Sequence, residues 1–338
     1  MKSKNIVFVK QNVAELVEEA KTAPKKNDIV VKLCVSSVSS GTERANLSGN
    51  KTVSWMEAEQ KEAIFPRRSG YSSAGIVEQV GEEVTKFKVG DRVALWWSTH
   101  NQYMTIGETN ACKINDIAFE DAALFHIATF PMAAIRKCHL EIGESAIVMG
   151  MGILGIVALQ LLKAAGAVPI IAVDPDETKR KKALECGADY AFNPYDADFS
   201  EKVKAVTDGG ANVGIEVTGV GAGLNGILDC MAMYGRVALL GCTRSSDFSV
   251  DYYRKVHGPG ITLVGAHTNA RPHSESHNGW WTQQDDMKAL IKLTEAGRLK
   301  LSSIIDETHS PEEASEIYRR LITEKTFPLV QFDWRRLQ

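Results

Sequence analysis

Residues 149–155 read M-G-M-G-I-L-G, so Gly150, Gly152 and Gly155 fit the spacing G-x-G-x-x-G. A short apolar run (SAIVM, 145–149) leads into this turn, and ILGIVALQLLKAA (153–165) continues from it with helical length and composition. In that context the first glycine permits a tight turn. The second lets a pyrophosphate approach the backbone, and the third lets helix and strand pack closely. The opening turn of the helix, with Ile153 and Leu154, then offers unpaired N–H groups and partial positive charge to the anion. Asp174 closes the next apolar run, IIAV at 170–173. A carboxylate there accepts from the ribose hydroxyls of an adenosine and repels a 2′-phosphate, which predicts NAD as cofactor. Lys179 and Arg180 either reach the adenosine end or are solvated helix residues. Thr218, Gly241, Cys242, Gly265, Ala266 and His267 close the later apolar runs and complete the candidate cofactor contacts.

A second chemistry-bearing stretch is HTNARPHSESHNGWW at 267–281. His267, Asn269, Arg271 and Trp281 are its candidate substrate contacts, with His273, Glu275 and His277 between them. Hydrogen-bonding groups beside indole faces suit a polyhydroxylated ligand, whose hydroxyls meet polar groups while its C–H faces lie on the rings. The competing interpretation is a solvated loop anchored by one tryptophan. Trp96 and Trp97 are expected to form the opposite wall.

These residues need scaffolding of two kinds. Before about residue 125 the chain reads as short strands separated by turn signals, including DIVVKLCV (28–35), AGIVEQV (74–80) and RVALWW (92–97). From 145 to 265 apolar runs alternate with helical stretches at 153–165, 177–185 and 221–233, the pattern of a parallel doubly wound sheet. Gly166 and Gly187 are placed as helix stops. Further helices are expected at 284–296 and 311–323, followed by a strand in FPLVQFDW.

Composition excludes several classes. A chain of 338 residues that is 44% hydrophobic and 24% charged is globular and long enough for two domains. A net charge of −3 gives no electrostatic footprint for nucleic acid. Apolar runs long enough to span a bilayer are absent, and the N-terminal stretch lacks the features of a secretory signal, so a cytoplasmic setting is expected. The six cysteines are scattered without a C-x-x-C pair and read as free thiols.

The glycine turn, together with SSGTE (39–43), GYSSAG (70–75) and VGDRV (89–93), resembles the medium-chain dehydrogenase/reductase superfamily, the alcohol and sorbitol dehydrogenase group. The resemblance runs over essentially the whole length. It implies an α/β Rossmann sheet plus an irregular, mainly-β (GroES-like) catalytic domain split around it. On that basis residues 1–126 and 268–338 form the catalytic, substrate-binding domain, and 127–267 the dinucleotide-binding domain. Zinc-dependent members carry Cys, His and a third ligand where this chain has Ser40, Tyr71 and, by alignment, His126. Hydroxyls are poor zinc ligands beside thiolate and imidazole, so no metal is expected. By the same resemblance Tyr71, His126 and Thr42 face the nicotinamide. Tyr71 or His126 is then the acid/base, with Thr42 relaying and Glu43 orienting its neighbours, and Ser40 falls among the substrate contacts.

The leading expectation is an NAD-dependent, zinc-free dehydrogenase. It acts on a secondary hydroxyl of a sugar, glycoside or cyclitol, or on the corresponding ketone. Two alternatives remain: a zinc-independent quinone or enone reductase, and an NAD(H)-binding paralogue without catalysis. The resemblance also implies a homo-oligomer, dimer or tetramer.

Overall fold

The computed structural model describes residues 2–53 and 65–337. The chain divides into two compact units, Met1–Ile127 with Lys300–Gln338, and Ala128–Leu299. Residues 268–299, placed with the catalytic domain by the sequence analysis, therefore belong to the unit of the parallel sheet. The helix Gln283–Glu295 explains this. Its buried Asp286 pairs with Arg136, and its Gln283 amide donates to Thr129 Oγ1 at 2.9 Å, both within that unit.

The core of the second unit is a six-stranded parallel sheet. Its strands lie in the order Tyr190–Phe192, Ile170–Val173, Ala146–Met149, Ala211–Glu216, Met231–Leu239, Thr262–Gly265. Ile170–Val173 and Ala146–Met149 are buried at every position, as expected where helices cover both faces of a parallel sheet. The order reverses beside Ala146–Met149, the switch point at which a crevice opens outside the carboxyl ends of the strands. The helix Ile153–Ala165 ends where Gly166 takes a left-handed φ of 88°. The helix expected over 221–233 stops at Asp229, because Met231 already pairs with Ala211 in the sheet. The apolar spacing of 231–233 fits either element, and the sheet claims it.

In the first unit, an antiparallel core forms around the strand Asp28–Ser37, which pairs with Ser72–Val80, Tyr103–Gly107 and Val330–Asp333. Ser72–Val80 continues the sheet to Arg92–Trp96 and Ala111–Lys113. A second sheet joins Lys2–Lys10 to Val13–Ala20 and Arg67–Arg68. The strand residues Ile29, Val31 and Leu33 pack with Tyr318 and Leu321 of the helix Ala314–Thr323 and with Phe332 and Trp334. The C-terminal segment thus returns to complete the N-terminal core. Among the described residues, no helix is long and apolar enough to cross a membrane.

Candidate active site

The glycine turn forms at the carboxyl edge of the parallel sheet. Gly150 has φ 102° and donates its N–H to Val173 O at 2.8 Å, bridging two strands. A Cβ on Gly155 would lie 1.9 Å from Gly150 O, so helix and turn meet backbone to backbone. A Cβ on Gly152 would meet nothing within 4 Å, which leaves the mouth of the turn open to a ligand. Ile153 and Leu154 open the helix there. Asp174 is 6% exposed; its carboxylate accepts Met151 N–H at 2.8 Å and Asp176 N–H at 2.9 Å. Each oxygen keeps a lone pair for a further donor. Lys179 Nζ stands 4.0 Å from Asp174 Oδ2, while Arg180 donates to the Asp174 and Pro175 carbonyls, each at 2.8 Å.

The neighbouring strand ends are organised by Glu216, which sequence reasoning missed. Its buried carboxylate accepts Thr218 N–H at 2.8 Å, Gly219 N–H at 3.1 Å and the Thr218 hydroxyl. Burial pushes this carboxyl above its usual range, against the pull of those donors. Gly241 lies so close to residues 217–219 that a Cβ would fall 2.3 Å from Gly219 N. Cys242 is exposed, Ala266 is buried, and Gly265 closes the last strand. Lys137, also unforeseen, is buried and donates from Nζ to Gly265 O at 3.1 Å, with Trp280 beneath it. Its burial, reinforced by Arg271, holds its pKa down to about 8. Burial and Lys137 likewise depress His267, whose Nδ1 accepts Asn269 N–H at 3.2 Å.

Two expected substrate contacts in 267–281 are committed to structure instead. Arg271 pairs with Asp286 at 3.3 Å and donates to Thr268 O and Thr129 O, so its guanidinium is enclosed rather than presented to a ligand. Burial raises the Asp286 carboxyl pKa, while Arg271 and Arg136 pull it back. Trp281 is covered by the Arg136 guanidinium at 3.6 Å and lines a cavity of about 400 Å³ with Leu161, Ala165 and Leu293. Leu161 and Ala165 lie roughly 12–18 Å along the helix axis from its start at the glycine turn, so this cavity is separate from the crevice. Asn269, His273, Glu275 and His277 are exposed.

In the other unit, Tyr71 is half-buried and donates its hydroxyl to Ser39 Oγ. His126 is wholly buried, with Nδ1 2.6 Å from Tyr71 O. A carbonyl only accepts, so Nδ1 carries the hydrogen and Nε2 the lone pair. The Tyr71 and His126 rings meet edge-on at 5.5 Å, and Trp97 packs on His126 at 4.6 Å. Trp97, at φ 59° and 46% exposed, is therefore the indole of this cluster, whereas Trp96 is 5% exposed within the sheet. Ser40 and Thr42, both half-buried, lie on the first turn of the helix Ser40–Leu47. Glu43, on the same turn, is 1% exposed and accepts from Ser39 N–H at 2.8 Å, from the Tyr318 hydroxyl and from His100 at 3.2 Å. Sequence reasoning missed Ser39, His100 and Tyr318.

Residues 154–282 match the family model of zinc-binding dehydrogenases, and residues 31–137 that of the alcohol dehydrogenase GroES-like domain. The chain belongs to the medium-chain dehydrogenase/reductase superfamily. It is an oxidoreductase of the alcohol and polyol dehydrogenase type. D-guloside 3-dehydrogenase of Escherichia coli is 24% identical over 94% of this chain and 96% of its own. L-threonine 3-dehydrogenase of Pyrococcus furiosus is 28% identical over 90% and 92%. An Escherichia coli alcohol dehydrogenase solved with NADH shares the fold, with a TM-score of 0.82 at 18% identity over 98% and 99%.

Within this superfamily zinc is the implied metal, and the donor set here does not suit it. Two of the three aligned positions carry hydroxyls, Ser40 and Tyr71, and the Tyr71 hydroxyl is bonded to Ser39. The Glu43 carboxylate is already engaged by three donors of the protein. Among the described residues, no group of three or more His, Cys, Asp or Glu side chains is arranged to hold a metal ion. The nucleotide cradle, by contrast, fits a dinucleotide, with an open turn at Gly152 and lone pairs remaining on Asp174.

Proposed function

We propose that this chain is an NAD-dependent dehydrogenase that acts, without catalytic zinc, on a secondary hydroxyl of a sugar, glycoside or cyclitol, or on its ketone. The turn at 150–155 would hold the pyrophosphate and Asp174 the adenosine ribose, with Lys179 beside it and the strand ends at Thr218, Gly241, Cys242 and 265–267 framing the rest. When bound, the nicotinamide supplies the hydride acceptor or donor. Tyr71 is the proton-transferring group. In the reductive direction its hydroxyl protonates the carbonyl oxygen, and in oxidation its phenolate takes the proton back. His126 holds the Tyr71 main chain through its Nδ1–H, and Thr42 and Ser40 offer further hydroxyls on the adjoining helix.

The observation that carries this reading is the half-buried Tyr71 hydroxyl, ordered by Ser39, at a position that zinc enzymes give to a ligand. A polyhydroxylated substrate agrees with the D-guloside relative and with the exposed polar side chains Asn269 and His273. A cytoplasmic homo-oligomer, a dimer or tetramer, completes the proposal.

The test is a screen of polyols, glycosides and inositols with NAD+ and with NADP+, read as reduced cofactor, alongside metal analysis. Turnover with NAD+ is expected, and Tyr71→Phe should lower kcat on the order of 100-fold or more while binding NADH like the wild type. Stoichiometric zinc needed for activity, or full rate in Tyr71→Phe, would overturn it. Asp174→Asn should narrow the preference for NAD over NADP roughly tenfold.

A further inference from the structure

We propose that His100 is a positioning residue for Tyr71, acting on it by two routes; this rests on Tyr71 as the proton-transferring group. The first route is a chain of hydrogen bonds. His100 is wholly buried, with Nδ1 2.7 Å from Ser36 Oγ and Nε2 3.2 Å from Glu43 Oε2. Ser36 Oγ also accepts the indole N–H of Trp334 at 2.9 Å. Since the indole can only donate, the Ser36 hydroxyl hydrogen is available to His100 Nδ1, which leaves the ring hydrogen on Nε2, aimed at Glu43. Glu43 passes the constraint on by accepting Ser39 N–H at 2.8 Å, and Ser39 Oγ accepts the Tyr71 hydroxyl.

The second route is steric. The His100 backbone N–H donates to Ser69 O at 2.9 Å. Its ring fills the space where a Cβ on Gly70 would sit, 2.7 Å from His100 Cδ2, and Gly70 has φ +87°. Gly70 immediately precedes Tyr71. His100 therefore fixes both the backbone that delivers Tyr71 and the side chain that holds its hydroxyl. A group needed only for packing here would not have to be polar, since the Phe332 ring packs against His100 at 5.5 Å and a leucine or phenylalanine would serve. A buried imidazole is costly unless both nitrogens are partnered, as they are here.

The test compares His100→Leu with His100→Gln, whose amide N–H can replace the donor to Glu43. The ionisation midpoint of the Tyr71 phenol is followed by ultraviolet difference absorbance, with Tyr71→Phe as blank. This reading needs no substrate. His100→Leu should shift that midpoint and lower kcat on the order of 100-fold, with NADH affinity unchanged, and His100→Gln should recover most of both. If His100→Leu leaves midpoint and kcat as in the wild type, or if His100→Gln recovers neither, the proposal is overturned. If the midpoint shifts while the wild type oxidises no alcohol, the positioning role stands and the dehydrogenase reading falls. Should His100→Leu fail to fold, Ser36→Ala, which removes the partner of Nδ1 and with it the acceptor of the Trp334 indole N–H, is judged by the same midpoint and the same criteria.

Discussion

The nucleotide cradle and the Tyr71 cluster are built from different materials. The cradle is made chiefly of backbone: Gly150 bridges strands through its N–H, Gly155 touches Gly150 O, and Asp174 and Glu216 mainly cap backbone N–H groups. The Tyr71 cluster is made of side chains drawn from distant segments, with Ser39, Glu43, His100, His126 and Tyr318 all within one unit. A backbone site depends on local sequence, because it needs only glycine in the right places. A side-chain site depends on which segments the fold brings together, and its chemistry can change by substitution while the scaffold stays.

This contrast can be broken most forcefully at Gly155. Gly155→Val should cost about 3 kcal/mol or more and abolish NADH binding, read by thermal melting and fluorescence titration, because no rotamer relieves a clash with Gly150 O. A variant that melts like the wild type would show that the turn is not closed as described. Next in size is Arg271→Met. Removing one guanidinium from buried Asp286 should lower stability by about 2 kcal/mol, since Arg136 still faces the carboxylate, and should leave substrate KM unchanged. A raised KM with an unchanged melt would return Arg271 to the substrate site.

Gly152→Ala sharpens the comparison within the turn. The added methyl meets no protein atom, so the melt should not move, while NADH affinity should fall roughly tenfold because the methyl occupies the open mouth. A further effect concerns pH. Lys137 has a pKa of about 8 in the folded protein, against an ordinary 10.5. Between those values the unfolded chain binds the extra proton, so this group makes stability rise with pH from about 8 towards 10.5, and its cost is fully present below pH 8. Lys137→Met should therefore gain most over the wild type near pH 7, and denaturant melts should show that advantage shrinking above pH 8. A gap that widens with pH would contradict this linkage.

The helices Ile153–Ala165 and Glu177–Glu185 were legible to the residue, the first from its apolar helical composition ending at Gly166, the second as a charged run that stops just before Gly187. The strand at Arg92–Trp96 was legible too, but its tryptophans were not told apart. Trp97 reverses the chain with a positive φ that nothing in a tryptophan signals, and this reversal moves it out of the sheet and onto His126. Arg271 and Trp281 read as ligand contacts because their composition suits a sugar. Their partners, Asp286 and Arg136, lie elsewhere in the chain and claim them first.

By itself, the sequence determined the parallel sheet, the glycine turn and the acidic residue that follows it, because periodicity and backbone sterics act over a few neighbouring residues. Only the tertiary structure decided which polar groups surround Tyr71, since His100 and Tyr318 reach Glu43 across 57 and 275 positions of chain. A hydrogen bond between such distant residues exists only after the core has closed around Phe332 and Trp334, and no local pattern in either segment encodes it.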